Sequence, residues 1–200
     1  GIYTRPPNGT TEFSLTRFLV AYLSNCEGIS LFMDCDMIVQ CDIFDVLKAC
    51  EGTYAAVWVC QHDYEPKSGL KATGVQTTYP RKNWSSFMVF NNAECVGLTP
   101  NYVNVASPAD LHRFAWTYNV GSLPLDFNWL VDEYEPKPDA RILHYTLGTP
   151  CFREYKNCTH ADLWYAELAD MNKPLDYWMR DVEWNVNVKQ APTKTEFPFC

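Results

Sequence analysis

Leu31-Phe32-Met33-Asp34-Cys35-Asp36-Met37-Ile38-Val39 is an apolar run that ends abruptly in two carboxylates one residue apart. The run reads as a buried strand from Ile29 to Met33. Side chains of an extended chain repeat every two residues, so Asp34 and Asp36 leave the strand's carboxyl end on the same side. In open α/β sheets that end faces the ligand crevice. Two hard oxygen donors aimed there suit a Mg²⁺ or Mn²⁺ ion that also holds phosphate oxygens. The stretch therefore predicts an α/β fold and metal-dependent chemistry on a phosphorylated or nucleotide-linked substrate. The plainer alternative is a solvated turn, since a chain with 24 Asp and Glu makes such pairs by chance. The apolar run in front of the pair favours the site.

Working outward, Thr11 is positioned to cap a helix from Glu12 to Ser24. Its Leu15, Phe18, Leu19, Tyr22 and Leu23 follow the three-four spacing of one buried face. Ile43 to Ala49 reads as a short helix, and Tyr54 to Cys60 as a second buried strand. Ser86 to Asn91 and Arg141 to Tyr145 read as further strands, Asp110 to Tyr118 and Ala161 to Met171 as helices. Gln61 to Lys82 is a polar loop long enough to suggest a functional role. Strands and helices in alternation imply a layered α/β fold. Residues 1–180 read as a single domain and 181–200 as a C-terminal tail.

Composition narrows the function. The 200 residues suffice for a substantial core, and 47% hydrophobic with 15% aromatic residues describes a globular chain. A net charge of −8 without a basic block argues against nucleic-acid binding. No apolar run approaches the roughly 20 residues of a membrane span, and no signal peptide is visible. Nine cysteines, an odd number with no Cys-x-x-Cys, read as free and mostly buried thiols. The expected location is therefore the cytoplasm.

Four more segments carry candidate chemistry. Tyr79 to Asn92 gathers amides and hydroxyls around Trp84, which suits sugar recognition or, more plainly, a capped edge strand. Asp110-Leu111-His112-Arg113 is polar among apolar neighbours and fits a surface helix face. In Leu123 to Trp129, Asn128 fits a buried structural amide. His144 leaves a strand end, as Asp34 and Asp36 do. One sheet would bring the three together as a two-carboxylate, one-imidazole site that suits Mn²⁺.

In this order, the segments resemble a known family. They are Thr11-Glu12-Phe13-Ser14 with Thr16-Arg17-Phe18, Leu31 to Asp36, Arg81 to Ser86, Leu123-Pro124 with Phe127-Asn128, and His144-Tyr145. Over residues 1–170 the chain resembles a GT-A glycosyltransferase close to family 8 and its bacterial and phage-encoded relatives. The resemblance implies a Rossmann-like mixed sheet, a nucleotide-sugar donor (usually a UDP-sugar), and a divalent metal, Mn²⁺ or Mg²⁺. The acceptor is unspecified: glycan, lipid or protein. The resemblance makes Asp34, Asp36 and His144 metal ligands and puts Arg17 near the donor. It puts Ser85, Ser86 and Asn92 at donor-binding positions and Asp110 near the reacting carbon, and the cluster of amides and hydroxyls around Trp84 adds Asn83 as a donor contact. Two departures stand out. Thr149 follows Gly148 where many members carry a phosphate-contacting lysine. The β-α-β unit that usually precedes this segment is missing, so the fold is expected to be N-terminally incomplete. A non-catalytic remnant of the fold is one alternative reading. A haloacid-dehalogenase-type phosphatase, with Asp34 as nucleophile, is the other.

Overall fold

A computed structural model of the protein describes residues 1–4, 14–66, 70–71, 74–75 and 80–172. The proposed helix cap at Thr11 and the tail at 181–200 lie outside the described residues. The chain divides into one unit, Gly1–Tyr165, and a second, Ala166–Cys200, of which the described part is the end of a helix.

In chain order the strands are β1 (Ile29–Met33), β2 (Met37–Val39), β3 (Val57–Cys60), β4 (Leu70–Lys71), β5 (Gly74–Val75), β6 (Phe87–Asn91), β7 (Val120–Leu123), β8 (Trp129–Leu130) and β9 (Ile142–His144). The helices are α1 (Val20–Leu23), α2 (Phe44–Cys50), α3 (Pro100–Val105), α4 (Pro108–His112) and α5 (Ala161–Met171). The main sheet runs β1-β6-β3-β7, with β6 antiparallel to both neighbours and β3 parallel to β7. A second sheet runs β2-β9-β8, antiparallel then parallel.

The central strands β3 and β6 are covered on both faces, which explains their continuous apolar runs. Val57, Val59, Met88 and Phe90 pack with Phe18, Leu111 and Phe114 on one side. Their strand neighbours Trp58, Cys60, Phe87 and Val89 pack with Val46, Phe127 and Ile142 on the other. This is the two-residue alternation of a pleated strand. At Gly121 a Cβ would stand 2.3 Å from Trp58 Cδ1, so the pairing of β7 with β3 requires glycine there. The small sheet has its own core of Ile38, Val131, Leu143 and Tyr145.

Topology places the site. β6 is antiparallel to β1 and β3, so its first residues lie beside the carboxyl ends of β1, β3 and β7. One edge therefore gathers Asp34, Ser86, Gln61 and the segment after Leu123. Asp34 N–H donates to the Ser86 carbonyl at 2.9 Å across it. Met37 and Leu130 both pair with His144, which brings the end of β9 to the same region.

The expected helix from Glu12 is, in its described part, a 3-10 turn (Thr16–Leu19) running into the short α1. Asp110 to Tyr118 is not helical throughout. α4 ends at His112, and Phe114 takes a left-handed φ of 61° while Ala115 N–H reaches back to the Asp110 carbonyl. That is the helix-ending geometry that usually uses glycine. Here the burial of the Phe114 ring offsets its strain. β1 is half-exposed rather than buried. None of the eight described cysteines is paired, but only Cys60 and Cys95 are buried, against the expectation of mostly buried thiols.

Candidate active site

Asp34, Asp36 and His144 converge. Each offers one ligand atom, and these atoms lie within 4.8 Å of one another. His144 Nε2 stands 3.4 Å from Asp36 Oδ1. The convergence does not come from strand periodicity. Cys35 and Asp36 form a turn between β1 and β2, and the Asp36 carbonyl takes the Tyr145 N–H at 2.9 Å. The turn folds Asp36 back towards the end of β9.

His144 is 2% exposed and its ring is fixed by a relay. The Ser86 hydroxyl donates to the Asn83 carbonyl at 2.6 Å, so Ser86 Oγ is left to accept. Asn128 Nδ2 donates to Ser86 Oγ at 2.8 Å and to the Asn83 carbonyl at 3.3 Å. The amide oxygen of Asn128 must therefore face His144, whose Nδ1 lies 2.8 Å from it. An amide oxygen only accepts, so Nδ1 carries the proton. In the neutral ring Nε2 then presents its lone pair towards the carboxylates. That is the orientation of a metal-ligating histidine with its second nitrogen hydrogen-bonded behind it.

Asp34 is held from the other side. Arg17 Nη2 pairs with Asp34 Oδ1 at 3.0 Å, while Nη1 and Nε donate to the carbonyls of Ser85 and Ser14, both at 2.8 Å. The guanidinium also lies over the Phe32 ring, 4.7 Å from its centroid. Burial pushes the Asp34 carboxyl above the ordinary carboxylate pKa and outweighs the opposing pull of Arg17 and His144. The neighbouring Asp36 adds to the upward push. A crowded pair of carboxylates with one imidazole favours a bound cation. Octahedral ligands about 2.1 Å from Mg²⁺ are roughly 3.0 Å apart when adjacent and roughly 4.2 Å when opposite. The observed spread fits with a small inward adjustment, and the oxygen-plus-imidazole set suits Mn²⁺ or Mg²⁺.

The donor-binding candidates separate. Asn83, at a left-handed φ of 62°, lies at the centre of the relay and donates to the Tyr64 hydroxyl at 2.8 Å. Ser86 is part of the relay and Ser85 adjoins it, with Ser85 Oγ 2.7 Å from His112 Nδ1. Asn92 lies elsewhere. It follows β6 at the opposite end of the β1–β6 pair, roughly 17 Å along five strand residues. There it donates to the Glu27 carbonyl and Ser30 Oγ. Asp110 sits in the first turn of α4, where its N–H donates to the capping Ser107 Oγ at 3.0 Å and its carboxylate accepts from that hydroxyl at 2.7 Å and pairs with Arg113. Both partners are local.

One residue that sequence reading did not single out, His62, belongs to this neighbourhood. His62, just after β3, is buried, and its Nδ1 lies 2.8 Å from the Tyr134 hydroxyl. Its ring contacts Tyr64 and Tyr134. Burial, helped by the nearby His144, pushes its pKa down to about 3, so it is neutral at ordinary pH. The available signal was the place of His62 directly after the second buried strand.

No protein-family model matches the chain. It is 41% identical over 174 residues to Protein CDI of Arabidopsis thaliana, covering 82% of this chain and 67% of that protein. The chain belongs to the Protein CDI family. Among solved structures it is similar to the bifunctional glycosyltransferase WbbM. The TM-score is 0.58 at 16% identity, over 88% of this chain and 38% of that one. Similarity also extends to the glycosyltransferase GlyE of Streptococcus pneumoniae TIGR4. The TM-score there is 0.49 at 15% identity, over 75% of this chain and 42% of that one. The chain thus spans well under half the length of these two glycosyltransferases. The expected mixed α/β fold of GT-A type is the fold found. A phosphatase of haloacid-dehalogenase type gains no support from it. No helix among the described residues is long and apolar enough to cross a membrane.

Proposed function

We propose that this member of the Protein CDI family is a glycosyltransferase. It takes a nucleotide-sugar donor, a UDP-sugar by family 8 analogy, with Mn²⁺ or Mg²⁺ held by Asp34, Asp36 and His144. The observation that carries the reading is the oriented His144, its Nε2 turned to two carboxylates by the Asn128 relay. A transferase fold with a cation site at the carboxyl ends of its strands fits diphosphate binding. Sugar transfer builds negative charge on the departing diphosphate, and a divalent cation there supplies Lewis-acid stabilisation of that charge.

The chain's own residues supply the rest. Arg17 holds Asp34 in place and keeps positive charge beside it. The turn from Asn83 to Ser86 forms the wall proposed for the donor sugar. His62, Tyr64 and Tyr134 form an aromatic cluster nearby. Asn92 and Asp110 are left out of the proposed reacting set, because their contacts are local and structural. Unpaired thiols, two of them exposed at Cys35 and Cys151, suit a reducing compartment, and the cytoplasm is the location we propose.

The test is release of nucleoside diphosphate from matched UDP- and GDP-sugars, with Mn²⁺ and with chelator. The reading expects Mn²⁺-dependent release. A well-folded sample that releases nothing from any donor would favour the non-catalytic alternative.

A further inference from the structure

A cavity of about 620 Å³ lies beside the site just described, and none of the three metal-ligand candidates lines it. Its wall includes Gln61, Arg81, Trp84, Arg113, Phe114 and Tyr118. The chain carries a net charge of −8, with 24 acidic and 16 basic side chains. The residues lining this cavity include two arginines and no carboxylate, although the Arg113 guanidinium is paired with Asp110, which is not part of the lining.

The arginines are held in place. Arg81 lies over the Trp84 indole, 5.1 Å from its centroid, and Nη1 donates to the Arg113 carbonyl at 2.6 Å. Arg81 and Phe114 both take left-handed φ angles, 60° and 61°. Backbone strain of this kind persists where the surroundings over-determine it, and it clusters at ligand sites. Tyr118 stands fully exposed at the same cavity. An exposed tyrosine ring beside an amide, a threonine hydroxyl and guanidinium groups is suited to a sugar ring. The C–H face of the sugar covers the aromatic, and its hydroxyls take the polar groups. The Arg81 guanidinium, with the Arg113–Asp110 pair beside it, then selects an anionic substituent, which guanidinium groups bind by charge-assisted and often bidentate hydrogen bonds.

We propose that the cavity between Pro80–Trp84 and Arg113–Val120 binds a saccharide bearing an anionic substituent. Its role as the transfer acceptor rests on the glycosyltransferase reading. The turn Trp84–Ser86 joins the two sites. Trp84 lines the cavity, the Ser85 carbonyl takes Arg17, and Ser86 Oγ takes Asn128.

The test is calorimetry on the full chain without metal or donor. The probes are a glucuronate trisaccharide, a sulfated and a phosphorylated glucose trisaccharide, the neutral glucose trisaccharide and a glutamate-rich peptide. At least one acidic trisaccharide is expected to bind about tenfold tighter than the neutral one, the scale of one charge-assisted hydrogen bond. The preference should shrink as salt rises. Arg81→Gln with Arg113→Gln should remove the preference and leave Mn²⁺ binding unchanged. Equal affinity for acidic and neutral sugars would overturn the proposal. So would an unchanged double variant, binding of the peptide in preference to every sugar, or no sugar binding in a folded sample. Asp36→Asn separates the two readings, since it should lose Mn²⁺ and keep the saccharide. Saccharide binding by a wild-type chain that takes neither Mn²⁺ nor UDP would sink the transferase reading alone.

Discussion

A buried histidine, His144, and a half-buried one, His112, both connect to the 3-10 turn Trp84–Ser86 and do different things. His144 Nδ1 faces Asn128, and His112 Nδ1 faces Ser85 Oγ. The difference lies in what surrounds the rest of each ring. His144 turns Nε2 to Asp36 and Asp34. His112 packs edge-on against Phe18, ring centroids 5.3 Å apart, and has Arg17 nearby. Carboxylates in front of a nitrogen make the cation site we propose, whereas an aromatic ring makes a structural post. Burial alone therefore identifies neither, and the comparison can be broken from either side.

The largest effect should follow from Asp36→Asn. Removing one ligand charge from a three-residue site should lower Mn²⁺ affinity by about 100-fold or more, with UDP binding falling alongside. Titration calorimetry reads both, and an affinity within a few-fold of wild type would dissolve the distinction between the two histidines. Next is Asn128→Ala, which leaves all three ligands but frees the His144 ring. Losing a partner of that kind typically costs about 10- to 100-fold in metal affinity. If Mn²⁺ affinity holds while stability drops, the relay is structural only.

The smallest effect is on stability and concerns His112. Burial depresses its pKa from 6.5 to about 4, with Arg17 adding to the shift. A histidine depressed in the folded state stays neutral while the unfolded chain takes up a proton. Stability is then level above pH 6.5 and falls as pH drops from 6.5 towards 4. The size for His112 is roughly 3 kcal/mol across that window. His62, at about 3, acts with the same sign and extends the fall to lower pH. Urea midpoints between pH 4 and 7 should show the slope, and His112→Gln should flatten part of it. An unchanged slope in that variant would mean His112 titrates normally.

Much of this was legible in the chain. The bounds of β1 were readable residue for residue from the apolar run stopped by Asp34, although its burial was not. β6 and β9 were readable within a residue at each end, because both are covered on both faces and read as short continuous apolar runs. β7 and β8 were not, because Val120-Gly121-Ser122-Leu123 and Trp129-Leu130 owe their pairing to β3 and β9 rather than to any local pattern. The convergence of Asp34, Asp36 and His144 was anticipated, but for the wrong local reason: a turn, not strand alternation, brings Asp36 in. Asn92 misled because its amide looked like a continuation of Asn83 and Ser86. Antiparallel β6 carries it to the far end. Asn128 read correctly as a buried amide, while its function depends on a histidine sixteen residues later that only the fold brings to it.

The most direct test of the account compares the two histidines in one experiment. Free Mn²⁺ is followed by electron paramagnetic resonance as wild type, His144→Gln and His112→Gln are titrated in the presence of UDP, each checked for folding by circular dichroism. The account predicts that wild type and His112→Gln take up Mn²⁺ alike and that His144→Gln does not. Uptake by His144→Gln equal to wild type, or loss in His112→Gln alone, would contradict it.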